Sequence, residues 1–149
     1  MDEIVSNNDV NKYIKSKLGQ FTSDIDFKNP ILNEQYEDPM ISQEVTENHH
    51  GLDIVSSRGD DVLASAAGKV LYTGVDSIYG NIIILSHQDN FYTFYGHLDA
   101  ILVNSHDFVT SNQVIGYVGD SGEASGPHLH FEIWSEDGLK NPRLLIKGV

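Results

Sequence analysis

The stretch SGPHLHFEIW, Ser125 to Trp134, sets two histidines one residue apart in a segment that otherwise reads as a buried strand. Strand side chains alternate between faces with a period of two. His128, His130 and Glu132 therefore share one face, and Leu129, Phe131 and Ile133 share the other, where they suit a core. Pro127 stands at the strand's start, where its missing N–H is tolerated. Residues i and i+2 on a strand lie about 6.5–7 Å apart. One imidazole can then bind a metal while the other points at the metal's open position. Taken alone, H-x-H more often marks a polar strand face with solvated histidines, so the rest of the chain has to decide.

Three further stretches carry chemistry-bearing residues. HHGLD places His49 and Asp53 four apart, with Gly51 allowing a bend that lets both reach one metal. YGHL ends a strand-like run on His97. GDSGEASG precedes the histidine pair, but no helix carrying a lysine follows it, which argues against a phosphate cradle. The chain has no cysteine, so disulfides, thiolate metal sites and thiol nucleophiles are excluded. Zinc accepts imidazole nitrogen and carboxylate oxygen, and catalytic zinc sites keep one of four positions for water. His49, Asp53 and one member of the His128/His130 pair make up such a set. The other member, with His97, would stand over the open position, where an imidazole titrating near neutrality can move protons.

The elements that must position these residues are short strands. From about residue 51 the text runs DVLAS, GKVLYTGV, NIIILSH, FYTFYGH and QVIGYVG before the H-x-H strand, with glycines at the joints. QDN, between two of these runs, reads as a hairpin loop. LDAILVNS, residues 98–105, reads as a short helix or turn. Helices long enough for a doubly wound fold are missing, and the pattern predicts an all-β domain, an antiparallel sandwich or open barrel. Residues 1–48 differ. Val10, Ile14 and Leu18 fit a short amphipathic helix, and residues 19–48 read as an acidic, extended lead-in with at most one short strand. The expected division is residues 1–48 as helix and lead-in and residues 49–149 as the domain.

Bulk composition narrows the partners. With 149 residues, 40% of them hydrophobic, the chain can build one real core. Its net charge of −13 and lack of any Lys/Arg cluster argue against nucleic acid. No run approaches the roughly 18 apolar residues of a membrane span. The opening MDEIVSNNDV shows neither the basic nor the apolar region of a signal peptide.

In order along the chain, HHGLDI, GDDVLASAAGKVLYTG, YGNIIILSH, YGHL and GDSGEASGPHLHFEI together resemble the lysostaphin-type zinc endopeptidases, the LytM-domain family, over about residues 49–142. The resemblance implies an antiparallel β fold of the LytM type with a groove over zinc. It implies metal ligands at His49, Asp53 and His130 and catalytic histidines at His97 and His128. The substrates it implies are peptide cross-bridges or stem peptides of bacterial peptidoglycan, which would put the protein in the cell envelope or outside the cell. Some relatives have lost ligands and serve as binding or regulatory modules; here all five positions are intact. The segment before His49, ISQEVTEN, has no Arg, Tyr or Gly, where many relatives carry a Gly-Arg or Tyr-containing wall. A sugar-phosphotransfer carrier also uses a histidine pair but has no need of Asp53. We read Glu132 as a solvated strand residue, with orientation of a histidine as the alternative. Tyr72 and Tyr79 read as core or rim, with lining a groove as the alternative, Trp134 as sheet packing and His50 as surface. His87 and His106 have no assigned role.

Overall fold

The computed structural model describes residues 25–31 and 41–146. The helix expected around Val10 to Leu18 lies outside them. Among the described residues ten strands form one antiparallel sheet system: β1 (Ile41–Gln43), β2 (Leu52–Val55), β3 (Asp61–Leu63), β4 (Gly68–Asp76), β5 (Gly80–Ser86), β6 (Tyr92–Ile101), β7 (Phe108–Val109), β8 (Val114–Val118), β9 (His128–Ser135) and β10 (Gly138–Lys140). The main path runs β1-β2-β9-β6-β5-β4-β7, β10 pairs with β9, and β8 joins β3 to β6. A four-residue helix, α1 (Pro142–Leu145), follows, capped by the Asn141 side chain accepting from the Arg143 amide. QDN is the expected β5–β6 connection, a single tight turn with Asp89 and Asn90 at positive φ.

The alternation expected of β9 is present. Leu129, Phe131 and Ile133 are fully buried and meet Leu52, Ile54, Ile83, Leu85 and Tyr95 in one core. Burying such side chains contributes about 1.5–3 kcal/mol each, which fixes the register, because a one-residue slip would put the histidines into the core. Phe27 and Ile31 of the lead-in enter the same core, each 3% exposed. The Lys28 amide donates to the Ser65 carbonyl at 2.7 Å, and Ile31 bridges Val62.

One expected element is wrong. LDAILVNS is not a helix or turn at its start: β6 runs on through Ile101, with Leu98, Ala100 and Ile101 paired to Val118, Tyr117 and Gly116 of β8. Only residues beyond Ile101 leave the sheet. A local reading of LDAIL cannot see that β8 waits to satisfy its backbone.

Candidate active site

Register explains why the site exists. On adjacent antiparallel strands, directly opposed residues share a face. Asp53 of β2 pairs with His130 of β9, and Val55 pairs with His128. On the other side of β9, Gly96 of β6 faces His130, Phe94 faces Glu132 and Tyr92 faces Trp134. Asp53, His128, His130 and Glu132 are thereby delivered to one surface, opposite the core.

His97 should miss that surface, since Tyr95 and Leu98 both belong to the core. It reaches the site because β6 carries an extra residue. Between the pairs Ile83–Tyr95 and Asn81–Leu98, β5 advances by two residues and β6 by three. Such a bulge bends the strand and re-aims a side chain. The extra residue is His97, at φ 61°, in the left-handed region that non-glycine residues seldom adopt. Its amide donates to the Tyr79 carbonyl at 2.6 Å, and its Nδ1–H donates to the Ser121 carbonyl at 2.7 Å. The glycine-rich loop is therefore a brace for His97. Gly122, at φ 74°, lets that loop press against Gly80, and a Cβ at Gly122 would come within 2.4 Å of the Gly80 nitrogen.

Four imidazoles and two carboxylates converge. His49 Nε2 lies 3.2 Å and His128 Nε2 3.5 Å from Asp53 Oδ2, and His130 Nδ1 lies 2.8 Å from Asp53 Oδ1. The His97 and His128 rings are 4.8 Å apart, and His97 and His130 are 6.0 Å apart. A carbonyl only accepts, so each ring nitrogen bonded to one must carry the hydrogen. His49 Nδ1 donates to the Glu44 carbonyl at 3.0 Å, and His128 Nδ1 donates to the Gly126 carbonyl at 2.9 Å. In neutral His49, His97 and His128 the lone pair is consequently on Nε2, and those of His49 and His128 face the Asp53 carboxylate.

Burial works against the Asp53 charge. The His130 hydrogen bond and the charges of His128, His130 and His49 outweigh it and hold the carboxyl below its ordinary range. Burial likewise works against a charged His130, but its hydrogen bonds to Asp53 and Glu132 prevail and raise it. His97 is pushed down, first by burial and then by the neighbouring His128 and His130, against its bond to Ser121.

Candidate ligand atoms of His49, Asp53 and His130 all lie within 4.8 Å of one another. The donor set fits a cation. Lone pairs of His49 and His128 turned toward one carboxylate repel unless a proton or a metal lies between them. Two nitrogens and one oxygen, without sulfur, suit zinc.

For two residues with a bearing on the site the less favoured sequence reading is the nearer one. Glu132, expected in solvent, is 5% exposed. Its Oε2 accepts from His130 Nε2 at 2.7 Å and its Oε1 accepts from Trp134 Nε1 at 2.6 Å. Tyr79, read as core or rim, stacks on the His130 ring with centroids 4.6 Å apart and 27° between planes. The glutamate's position two residues beyond His130 on the same face was the available signal; nothing in the local sequence pointed to the tyrosine stack. Asn48 and His50 are exposed, as is His106, whereas His87 is fully buried.

The other face of His130 meets Gly51, where a Cβ would stand 2.4 Å from Cε1 and 2.5 Å from Nε2. With Tyr79 behind it, the ring has no room to retreat. Gly51→Ala is expected to turn His130 and lower metal affinity by about 10–100-fold, the scale of losses when a ligand's support is removed. Competition with a chromophoric zinc chelator measures this, and circular dichroism shows whether the fold is kept.

The chain is 38% identical over 84 residues to the DD-carboxypeptidase/endopeptidase Mpg of Neisseria meningitidis serogroup B, covering 56% of this chain and 19% of that protein. It is 38% identical over 94 residues to the murein hydrolase activator NlpD of Escherichia coli, covering 62% of this chain and 24% of that protein. The chain thus spans a quarter or less of these curated relatives. Among solved structures, the catalytic domain of lysostaphin from Staphylococcus simulans superimposes with a TM-score of 0.61 at 31% identity, over 64% of this chain and 77% of that one. A zinc-containing peptidase from Vibrio cholerae gives 0.73 at 26% identity, over 79% and 39%. The model of peptidase family M23 matches residues 47–142, and the chain belongs to that family.

Proposed function

We propose that the protein is a zinc-dependent endopeptidase that hydrolyses peptide cross-links or stem peptides of bacterial peptidoglycan. The observation carrying this reading is the convergence of His49, Asp53 and His130 beside two further imidazoles that keep Nε2 lone pairs. His49 Nε2, an Asp53 oxygen and His130 Nδ1 would hold the metal. Bound there, zinc would lower the pKa of a coordinated water to about 7 and polarise the scissile carbonyl.

The chain's own groups supply the rest. Glu132 fixes the His130 tautomer by accepting its Nε2–H, which leaves Nδ1 for the metal. The Ser121 and Gly126 carbonyls do the same for His97 and His128, each left with Nε2 as the working atom. One of these two takes the proton of the attacking water and returns it to the leaving amine. The other, once protonated, donates to the developing oxyanion, an interaction typically worth about 3–4 kcal/mol. His97 is held for this work in a strained backbone state, as functional residues often are.

The departure before His49 finds a physical answer here. ISQEVTEN contributes through its backbone, the Glu44 carbonyl orienting His49, and a carbonyl does not depend on side-chain identity. The segment still offers no Arg or Tyr to grip substrate. That feature, with the similarity to a murein hydrolase activator, favours the second reading, a non-catalytic module that binds the wall or activates a partner hydrolase.

Digestion of purified peptidoglycans of several cross-link types separates the two. The peptidase produces new amine termini by mass spectrometry that disappear with a chelator. Absence of cleavage by zinc-loaded protein on every wall type would leave the module. Action on the wall places the protein in the cell envelope or outside the cell; no helix among the described residues is long and apolar enough to cross a membrane.

A further inference from the structure

The site face continues past His130 into a cleft of about 400 Å³ that the proposed chemistry does not use. Ile84, Tyr92, Phe94 and Trp134 form its apolar walls, and its charged groups are Glu132 and Glu136. We propose that this cleft is a side-chain pocket selecting a peptide residue with an alkyl stem and a terminal ammonium, of the lysine type. The proposal rests on the reading above insofar as the groove carries a peptide.

Charge and shape single out this occupant. Among the described residues no lysine or arginine lines the cleft, so an anionic side chain would meet the exposed Glu136 carboxylate with no cation beside it. A purely apolar side chain would cover Phe94 and Trp134 and leave the Glu136 carboxylate at the rim without a cation. An alkyl-ammonium does both tasks, laying its stem on the rings and its head at the rim. Glu136 stands exposed at that rim, with Oε2 already accepting from Asn90 Nδ2 at 2.8 Å, and a carboxylate oxygen has further acceptor capacity. The Trp134 indole is held by Glu132 and offers a face to a cation. The net charge of −13 raises the local concentration of cationic ligands.

Register sets the distance to the metal site. Glu132 belongs to both places, bonding His130 on one side and lining the cleft on the other. Along a strand, two residues advance about 6.6 Å. The cleft's walls on β9 run from Glu132 to Trp134, so an extended peptide lying along β9 with a carbonyl at the metal site puts the side chain two to four residues away into the cleft.

Trp134 is the chain's one tryptophan, so its emission reports occupancy without any turnover. The full chain is titrated with three blocked tripeptides, Ala-Xaa-Ala, with lysine, norleucine or glutamate in the centre. The lysine peptide is expected to bind at least about threefold tighter than norleucine, the scale of an exposed ion pair, and glutamate weakest. Glu136→Gln keeps the acceptor for Asn90 and should bring lysine to norleucine's level, as should high salt. Equal or tighter binding of norleucine in the unaltered chain, or unchanged emission with all three peptides, overturns the pocket. The wall digest reads a separate quantity. Cleavage without a lysine preference at Trp134 leaves the peptidase and removes the pocket, and a lysine response without cleavage does the reverse.

Discussion

Replacing His97 or His128 by alanine should leave a chain that still takes up one zinc ion but turns over about 10²–10⁴-fold more slowly, the usual contribution of a positioned acid or base. Replacing His49, Asp53 or His130 should remove the zinc itself. The division follows from where the nitrogens point. His49 Nε2 and His130 Nδ1 flank the Asp53 oxygens at 3.2 and 2.8 Å. His97 makes no bond to Asp53 and instead packs against His128 at 4.8 Å. His128 is the sharper test, since its Nε2 also approaches Asp53, at 3.5 Å. Zinc content after dialysis, with turnover on a wall fragment, gives both readouts. Loss of zinc from H128A with retention in H130A would exchange the two roles. Full turnover in both H97A and H128A would remove them from catalysis. Asp53→Ala carries a stability effect as well, because it strips the partner from a raised His130 and leaves a buried cation beside Glu132 alone. Asp53→Asn, which keeps the shape and an acceptor, separates lost metal binding from lost folding.

The faces of β9 could be read from residue order alone, because a period of two needs only one correct strand assignment and Leu129, Phe131 and Ile133 all want a core. Asp53 was reached separately, from its spacing of four to His49, and the β2–β9 register then opposes it to His130. His97 was a candidate from its YGHL motif, but its route into the site was not legible: it has the wrong parity, and only a bulge set by β5 and the Ser121 loop turns it inward. Other positions likewise depend on partners far along the chain. LDAI reads as helix until β8 supplies its hydrogen bonds. Glu132 reads first as solvated and only second as a partner of a histidine; its two oxygens are in fact satisfied by His130 and Trp134, and a buried carboxylate so paired costs far less than an isolated one. Tyr79 could not be placed because stacking on His130 requires the β4–β5 turn to fold over the sheet.

His87 shows the same limit and leads to the second large effect, on stability. It has no assigned role in the sequence, yet it is fully buried. Its Nδ1–H donates to the Ala67 carbonyl at 2.8 Å, Nε2 lies 2.7 Å from Thr93 Oγ1, and Thr93 Oγ1 hydrogen-bonds the Tyr95 hydroxyl at 2.9 Å. The Tyr95 hydroxyl in turn accepts from the Ser65 amide, beside the point where Lys28 of the lead-in docks. Burial drives His87 down from the ordinary 6.5 to about 4, against the bond to Ala67. The folded state thus holds His87 neutral where the unfolded chain would protonate it. Above pH 6.5 the two states bind the same number of protons and nothing is lost. As pH falls from 6.5 toward 4 the unfolded state binds more, and stability declines by about 2 kcal/mol at pH 5 and roughly 3 kcal/mol in all. The raised His130 has the opposite sign, contributing stability at low pH that fades as pH rises through its folded value, so the comparison has to isolate His87. Urea midpoints of metal-free wild type and His87→Gln, each at pH 7.5 and pH 5.0, do so. The variant should start less stable, having lost a ring that fills the space between Phe27 and Thr93, but should lose about 2 kcal/mol less on acidification. Parallel pH profiles would mean that His87 is not held neutral in the fold.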